Sequence, residues 1–209
     1  MLSFSDFFIA CAGTWTTDRT YHYVLDGEVE RSYTEFRAMP LGSADKQRIL
    51  SRFAPLDEQQ ATAGRDRCPG FAIAFETRSE TGEEVSMSLK ALFVPDDVAR
   101  HYHLNSTPPH LPLASRYPKD SELIEGVYLR NEGYSETGAI AGRFTYQPTR
   151  QTLEMTTYYN RSVAVDQMRF VSPELRMRTI VTYERPADGE VPTVIDLMGF
   201  GVERKSTTD

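Results

Sequence analysis

Two arginines near the carboxyl end of the chain have the spacing of a binding site. Arg176 and Arg178 are two residues apart, so a β-strand places them on one face and Leu175 and Met177 on the other. If the arginine face points into a cavity, the guanidinium groups can bind carboxylates in a bidentate manner and stack on conjugated rings. If it points outwards, both arginines are solvated. The first alternative predicts an elongated, conjugated ligand that carries carboxylates.

A second feature, Gly13-Thr14-Trp15, directly follows a short helical segment. Trp15 begins a run with a period of two, which is typical of a strand. In lipocalin-like barrels such a tryptophan plugs the closed end, and an arginine from a late strand stacks on its indole ring. The tripeptide therefore predicts a plugged barrel, with a core tryptophan of no special role as the alternative.

Signals for other chemistry are weak. His101, His103 and His110 have no carboxylate or cysteine at a convincing ligand spacing, so we predict no metal site and no resident cofactor. Neither a phosphate-binding glycine loop nor a serine nucleophile motif is present. Cys11 and Cys68 are the only cysteines, and we interpret them as ordinary thiols.

Composition limits the class of partner. The net charge of −7 argues against a nucleic-acid binder, because phosphate binding needs a surplus of lysine and arginine. No apolar run approaches the ~20 residues that span a bilayer, and no secretion signal is recognisable. We therefore expect neither membrane nor nucleic-acid partners, and a location in the cytoplasm, or in the plastid stroma for a plastid-encoded protein.

The candidate residues need a scaffold of strands. Periodicity predicts a short helix through Phe4 and Ala12, an inserted helix at Ser43–Phe53 and a long, proline-rich surface loop from Pro95 to Lys119. Turn residues separate the remaining segments. The predicted strands are 14–23, 29–39, 71–77, 85–94, 123–130, 139–146, 152–159, 163–171, 175–183 and 191–200.

This order of elements predicts the fold. About nine or ten strands with few helices favour an all-β, closed antiparallel lipocalin-like barrel over a parallel sheet. The length of 209 residues suits one domain, 1–209, in which 203–209 form a disordered tail. The amino-terminal helix is expected to close one end of the barrel.

Several motifs, read in order along the chain, resemble the S-type (CpcS/CpeS) phycobiliprotein lyases. The most specific one runs from Phe170 to Thr179 and contains Ser-Pro-x-Leu-Arg-Met-Arg. The resemblance implies a lipocalin-like barrel that attaches a phycobilin, an open-chain tetrapyrrole such as phycocyanobilin or phycoerythrobilin, to a cysteine of a phycobiliprotein α or β subunit. The other matching motifs are Phe7-Phe8, Ala12-Gly13-x-Trp15, Arg19-Thr20-x-His22, Gly133-Tyr134, Gly142-Arg143-x-x-Tyr146 and Thr156-Thr157.

The resemblance also implies how the site would work. Arginines would bind the two propionates, and an acid near the pyrrole nitrogens would make the protonated bilin more electrophilic. The reactive carbon must stay exposed at the barrel mouth, because the nucleophile belongs to the acceptor protein. Asp196 is our candidate acid, on a strand face shared with Val194, Met198 and Phe200. The predicted ligand contacts are Arg19, Arg169, Ser172, Arg176 and Arg178.

The chain departs from the family pattern at a few positions. Where the family reads Glu-Arg-x-Trp-Phe, this chain reads Asp166-Gln167-Met168-Arg169-Phe170, and Tyr158 replaces an acidic residue after the paired threonines. Asp196 aligns with a family glutamate. The changes at Gln167 and Tyr158 leave open a non-catalytic carrier or chaperone for a bilin or fatty-acid-like ligand, or the silent subunit of a heterodimeric lyase. A homodimer is also compatible with the sequence, and a packed interior would indicate a structural domain.

Overall fold

Residues of alternating polarity form ten antiparallel strands in the computed structural model, as predicted. The structure describes residues 1–54, 64–104, 110–115, 122–133, 136, 138–187 and 189–206. The strands are β1 (Gly13–Tyr23), β2 (Glu28–Pro40), β3 (Gly70–Ser79), β4 (Glu84–Pro95), β5 (Ile124–Arg130), β6 (Ile140–Gln147), β7 (Thr152–Tyr158), β8 (Ser162–Ser172), β9 (Leu175–Glu184) and β10 (Ile195–Lys205). Each strand pairs with the next along the chain, and β10 pairs with β1 to close the barrel.

The described residues include three α-helices beside the barrel: α1 (Phe4–Cys11), α2 (Ser43–Phe53) and α3 (Asp96–His101). Short 3-10 turns lie at Arg65–Arg67, Leu113–Ser115 and Pro148–Arg150. The Ser3 hydroxyl caps α1 by accepting from the amide of Asp6 at 3.2 Å. No helix in the described part of the chain is long and apolar enough to cross a membrane.

Helix α1 closes one end of the barrel, as expected from its phenylalanines. Phe4, Phe7 and Phe8 are buried in the same core as Trp15, which is fully buried. The Trp15 indole donates to the carbonyl of Cys11, the last residue of α1, at 3.0 Å. The aromatic core therefore fills the end of the barrel that lies next to α1.

The carboxyl-terminal prediction was partly wrong. Strand β10 extends through Lys205, and Glu203 within it is fully buried, so a disordered tail does not begin at residue 203. The amide of Lys205 donates to the carbonyl of Glu174 at 2.9 Å. Residues 207–209 lie outside the described residues.

The predicted loop from Pro95 to Lys119 was also partly wrong, because it contains α3. Val98 and Ala99 of this helix are buried and pack with Leu50 of α2 in a second apolar cluster, which includes residues of β4 and β5. Because the two strands are covered from outside as well as inside, their apolar runs are nearly continuous. Pro108, Pro109 and Pro118, which suggested the loop, lie outside the described residues.

Candidate functional site

A cavity of about 470 Å³ lies inside the barrel, above the aromatic core and towards the end opposite α1. We call the opening at this end the mouth. The walls of the cavity combine aromatic, aliphatic and hydroxyl side chains with a few charged groups. The open interior argues against a packed structural domain. The charged lining residues are Arg19, Arg130, Asp166 and Arg178, and the aromatic ones are Tyr21, Phe36, Phe75, Tyr128 and Tyr159.

Arg178 and Asp166 form an ion pair on the cavity wall. Nε of Arg178 donates to Oδ1 of Asp166 at 2.9 Å, and its Nη2 donates to Oδ2, so the pair is bidentate. The two residues come from neighbouring strands, β9 and β8, and their side chains are 11% and 18% exposed. A ligand in the cavity therefore meets a guanidinium and a carboxylate that hold each other in place.

Glu203 lies below this pair and joins three arginines. Its carboxylate accepts from Nε of Arg176 at 2.5 Å, and it lies 3.7 Å from Nη1 of Arg178 and 3.5 Å from Nη2 of Arg19. Burial alone would raise the pKa of Glu203, but the three guanidinium groups outweigh it and hold the pKa below its usual range. The carboxylate is therefore ionised at neutral pH.

The charge of this cluster favours an anionic ligand. Three guanidinium groups, from Arg19, Arg176 and Arg178, face two carboxylates, from Glu203 and Asp166, which leaves one excess positive charge. A desolvated excess charge of this kind is complementary to a ligand carboxylate.

Arg19 is the least constrained arginine of the cluster. Its contacts to the Tyr21 hydroxyl, at 3.4 Å, and to Glu203, at 3.5 Å, are long for hydrogen bonds. Its buried Nε has no partner among the described residues. A ligand carboxylate would satisfy donors that the protein itself leaves weakly bonded.

Two glycines of β10 make room for these side chains. A Cβ atom at Gly201 would lie 3.0 Å from Cγ of Arg19, and one at Gly199 would lie 2.7 Å from the Tyr21 ring. The glycines therefore let Arg19 and Tyr21 lie across β10 on the inner face.

Arg176 lies beneath the cavity and does not line it. Its Cζ lies 4.6 Å from the centroid of the Trp15 ring, as expected for the late-strand arginine of a plugged barrel. Its Nη1 donates to the sulfur of Cys11 at 3.1 Å. Of the two alternatives, both arginines have the inward orientation, but only Arg178 lines the cavity and Arg176 lies deeper.

Two of the predicted contacts lie away from the cavity. Arg169 is exposed and alternates with the inward residues Met168 and Phe170 along β8. Ser172 is exposed at the closed end, where its hydroxyl contacts Glu174 in the turn after β8. The structure therefore brings together Arg19 and Arg178 at the cavity, with Arg176 beneath them.

Asp196 was predicted on the wrong face of its strand. The face that it was expected to share is the outer one, since Met198 is 45% exposed and Phe200 is 54% exposed. Asp196 itself lies at a β-bulge near the mouth, and its backbone carbonyl accepts from the amide of Val24 at 2.8 Å. It is not among the residues that line the cavity.

Sequence reasoning missed Asp166, Glu203 and Arg130 as site residues. Asp166 had a signal, because it stands at the acidic position of the family's Glu-Arg-x-Trp-Phe motif. Glu203 follows Gly199 and Gly201 on one strand face, a pattern that marks space for neighbouring side chains. Arg130 has no sequence signal beyond its alternation with Tyr128.

Arg130 is a second buried arginine of the barrel interior. Its Nη2 donates to the Tyr159 hydroxyl at 2.6 Å. Its Cζ lies 5.6 Å from the Tyr128 ring centroid and 5.7 Å from that of Tyr159. The arginine thereby holds two aromatic walls of the cavity together.

The changed residues Gln167 and Tyr158 lie on the outer face of barrel strands β8 and β7. Gln167 donates from Nε2 to Glu154 at 2.8 Å, and the Tyr158 hydroxyl donates to the carbonyl of His110. Neither Gln167 nor Tyr158 lines the cavity. The Tyr134 position of the predicted Gly133-Tyr134 motif lies outside the described residues.

Both cysteines are buried and unbonded to each other. Burial raises the pKa of Cys11, and it raises the pKa of Cys68 to about 12. Neither lines the cavity, so neither thiol is placed to act as a nucleophile on a bound ligand.

Comparisons with known proteins agree with this geometry. A family model described as CpeS-like protein matches residues 3–102 and 112–206. Chromophore lyase CpcS/CpeS 1 of Synechococcus sp. is 40% identical over 204 residues, which cover 98% of this chain and 97% of that protein. Chromophore lyase CpcS/CpeS 2 of Synechocystis sp. is 24% identical over 176 residues, or 83% of this chain and 77% of that protein.

A solved structure supports the fold. The S-type phycobiliprotein lyase CPES from Guillardia theta superposes with a TM-score of 0.66 at 15% identity, over 100% of this chain and 95% of that one. The extent of the family match and the 40% identity to a relative of nearly equal length confirm the resemblance seen in the motifs. The chain belongs to the CpeS-like family.

Proposed function

We propose that this protein is a phycobiliprotein lyase, which binds a phycobilin in its barrel and attaches it covalently to a cysteine of a phycobiliprotein subunit. The observation that carries the proposal is the cluster of Arg19, Asp166 and Arg178 on the wall of an open, aromatic-lined cavity. The volume of about 470 Å³ lies within the roughly 300–1,000 Å³ typical of small-molecule sites. The chain's close relative is itself named a chromophore lyase.

In this proposal each charged group of the wall has a separate role. Arg19 and Arg178 bind the propionates of the bilin, because guanidinium groups pair with carboxylates in a bidentate manner. Asp166 takes the role that we had assigned to Asp196, since it is the carboxylate that faces the cavity. It accepts hydrogen bonds from pyrrole N–H groups and thereby favours the protonated bilin.

Protonation prepares the bilin for addition. The acceptor thiolate attacks an exocyclic double-bond carbon of the bilin and forms a C–S bond. The electron pair of that double bond moves into the conjugated, protonated ring system, and a proton finally rests on the neighbouring carbon. No group leaves and no oxidant is consumed, so binding and positioning supply much of the acceleration.

The nucleophile comes from the acceptor. Cys11 and Cys68 are buried away from the cavity, and burial raises the pKa of both thiols. A bilin held with its propionates at Arg19 and Arg178 can present its reactive end at the mouth, where an acceptor cysteine can approach.

The carrier alternative loses its main support. It rested on the changes at Gln167 and Tyr158, and neither side chain lines the cavity. The proposed reaction takes place where phycobiliprotein subunits are made, in the cytoplasm or plastid stroma. A homodimer, or a heterodimer with a related lyase subunit, stays a prediction that native mass measurement would test.

Co-production tests the proposal. The chain is produced in a host that makes a phycobilin together with candidate acceptor subunits, which are then separated under denaturing conditions and inspected for zinc-enhanced fluorescence. We expect a fluorescent acceptor band that disappears when the chain is omitted. Fluorescence that is equally strong without the chain would contradict the proposal.

A further inference from the structure

An exposed apolar strip begins at the mouth of the barrel. It consists of six side chains that are each between 45% and 57% exposed, which is unusual for residues of this size on neighbouring strands. We call it the mouth strip, and it comprises Val24, Leu25, Val29, Val194, Met198 and Phe200.

Strand pairing makes the mouth strip continuous. Val24 and Leu25 form the tip of the β1–β2 hairpin, and the amide of Val24 bonds to β10 at Asp196. Two residues lower on each strand, His22 of β1 lies between Val29 of β2 and Met198 of β10. The His22 ring stacks on Phe200 at 5.8 Å, which extends the surface down the outer face of β10.

The surroundings of the mouth strip are mainly acidic. Asp26 and Glu28 are exposed in and after the hairpin turn, and Asp196 is partly exposed beside Val194. Arg31 contributes a positive charge on β2. Three carboxylates against one guanidinium leave two excess negative charges, so the complementary partner surface is apolar with basic residues at its border.

We infer that the mouth strip docks the acceptor subunit, through an apolar patch flanked by lysine or arginine beside the acceptor cysteine. This inference rests on the proposed function, because the acceptor sulfur must come within bonding distance of a ligand held in the cavity below the mouth. A protein that delivers its cysteine there must cover part of the rim, and the mouth strip is continuous with that rim.

The test compares variants in steady-state transfer of phycocyanobilin to an acceptor apo-subunit that the wild type modifies. Leu25→Ser combined with Phe200→Ser removes the two most exposed side chains of the mouth strip. Met39→Ser is the matched control, since Met39 is 51% exposed on β2 but lies near the closed end. The double variant should raise KM for the acceptor at least about tenfold, because burial of large apolar side chains drives such contacts. Its kcat and its Kd for bilin should stay within about twofold of wild type, as should all values for Met39→Ser.

Charge reversal tests the chemistry of the partner. Asp26→Lys combined with Glu28→Lys should also raise KM for the acceptor, and the effect should shrink at high ionic strength because exposed charges are screened. An unchanged KM in the Leu25/Phe200 variant would overturn the inference while leaving the proposed function intact. A variant that changes from dimer to monomer in native mass would assign the mouth strip to a second copy of the chain and also overturn it. If the wild type modifies no acceptor, the proposed function fails and the docking surface fails with it.

Discussion

The guanidinium of Arg176 lies over the indole of Trp15, with its Cζ 4.6 Å from the ring centroid. Arg178, two residues further along the same strand face, instead reaches the cavity wall and pairs with Asp166. Two arginines with the same inward orientation therefore have different roles. Arg176 packs beneath the cavity, and Arg178 lines the cavity wall together with Asp166.

Replacement of Arg176 should lower the free energy of unfolding more than it weakens the binding of bilin. Arg176→Gln leaves the fully buried Glu203 without its nearest positive partner, and removing one member of a buried ion pair costs about 3–5 kcal/mol. Urea unfolding measures this loss. The exposed Arg169→Gln is the control and should stay within about 0.5 kcal/mol of wild type. A loss below about 1 kcal/mol in Arg176→Gln would show that the stability of the barrel does not depend on this pair.

The same pair predicts a stability change in acid. An unfolded glutamate titrates near its ordinary value of 4.5, whereas the three arginines hold the pKa of folded Glu203 below that value. Because the unfolded chain binds the proton more tightly, the stabilisation is complete above the unfolded pKa and is lost as the pH falls through the lower folded pKa. The midpoint temperature of thermal unfolding should therefore fall more steeply between neutral pH and about pH 3 for wild type than for Glu203→Gln. An equal pH dependence of the two proteins would contradict a lowered pKa of Glu203 in the folded state.

Arg19 should recognise a carboxylate. Arg19→Gln should weaken the binding of phycocyanobilin by about tenfold or more, since a charge-assisted hydrogen bond contributes about 1.5–3 kcal/mol. The dimethyl ester of the same bilin has no propionate charge, so its affinity should be equal for the variant and wild type. Absorbance titration gives both constants. An equal loss of affinity for free phycocyanobilin and for its dimethyl ester would mean that Arg19 only shapes the cavity.

Asp166, and not Asp196, should control the protonation of the bound bilin. The wild type should bind phycocyanobilin with a red-shifted spectrum of the protonated type. Asp166→Asn should lose this shift, because the amide cannot balance a positive charge on the bilin. Asp196→Asn is the matched control and should keep the shift. The opposite result would restore Asp196 as the acid.

Local periodicity predicted much of this fold. The Ser43–Phe53 helix, the closing helix α1 and the order of ten strands follow from alternation, turn residues and capping, which act over a few residues. The depth of a side chain inside the barrel does not follow from such local patterns. The difference between Arg176 and Arg178 depends on strand tilt and on the aromatic core from α1, which the local spacing of the two arginines cannot reveal.

Strand β10 shows why the inner and outer faces near Asp196 were predicted wrongly. Its inner face carries Gly199 and Gly201, because Arg19 and Tyr21 occupy the space beside them. The apolar residues that normally mark the inner face are therefore on the outer one, where Phe200 is exposed. A bulge near Asp196 changes the register as well, and a one-residue shift exchanges the two faces of a strand. The usual hydrophobic pattern is thus inverted by the side chains of a neighbouring strand.

A lyase transfers the bilin to another protein, whereas a carrier only holds it. The most direct measurement is the intact mass of a purified acceptor apo-subunit after incubation with the purified chain and phycocyanobilin. We expect a mass gain equal to one whole bilin, because the thiol adds across a double bond and nothing leaves. The gain should be absent when the acceptor cysteine is replaced by serine or the chain is omitted. A bilin that binds to the chain with the expected spectrum but adds no mass to any acceptor, even beside a related lyase subunit, would contradict the account and identify the protein as a carrier.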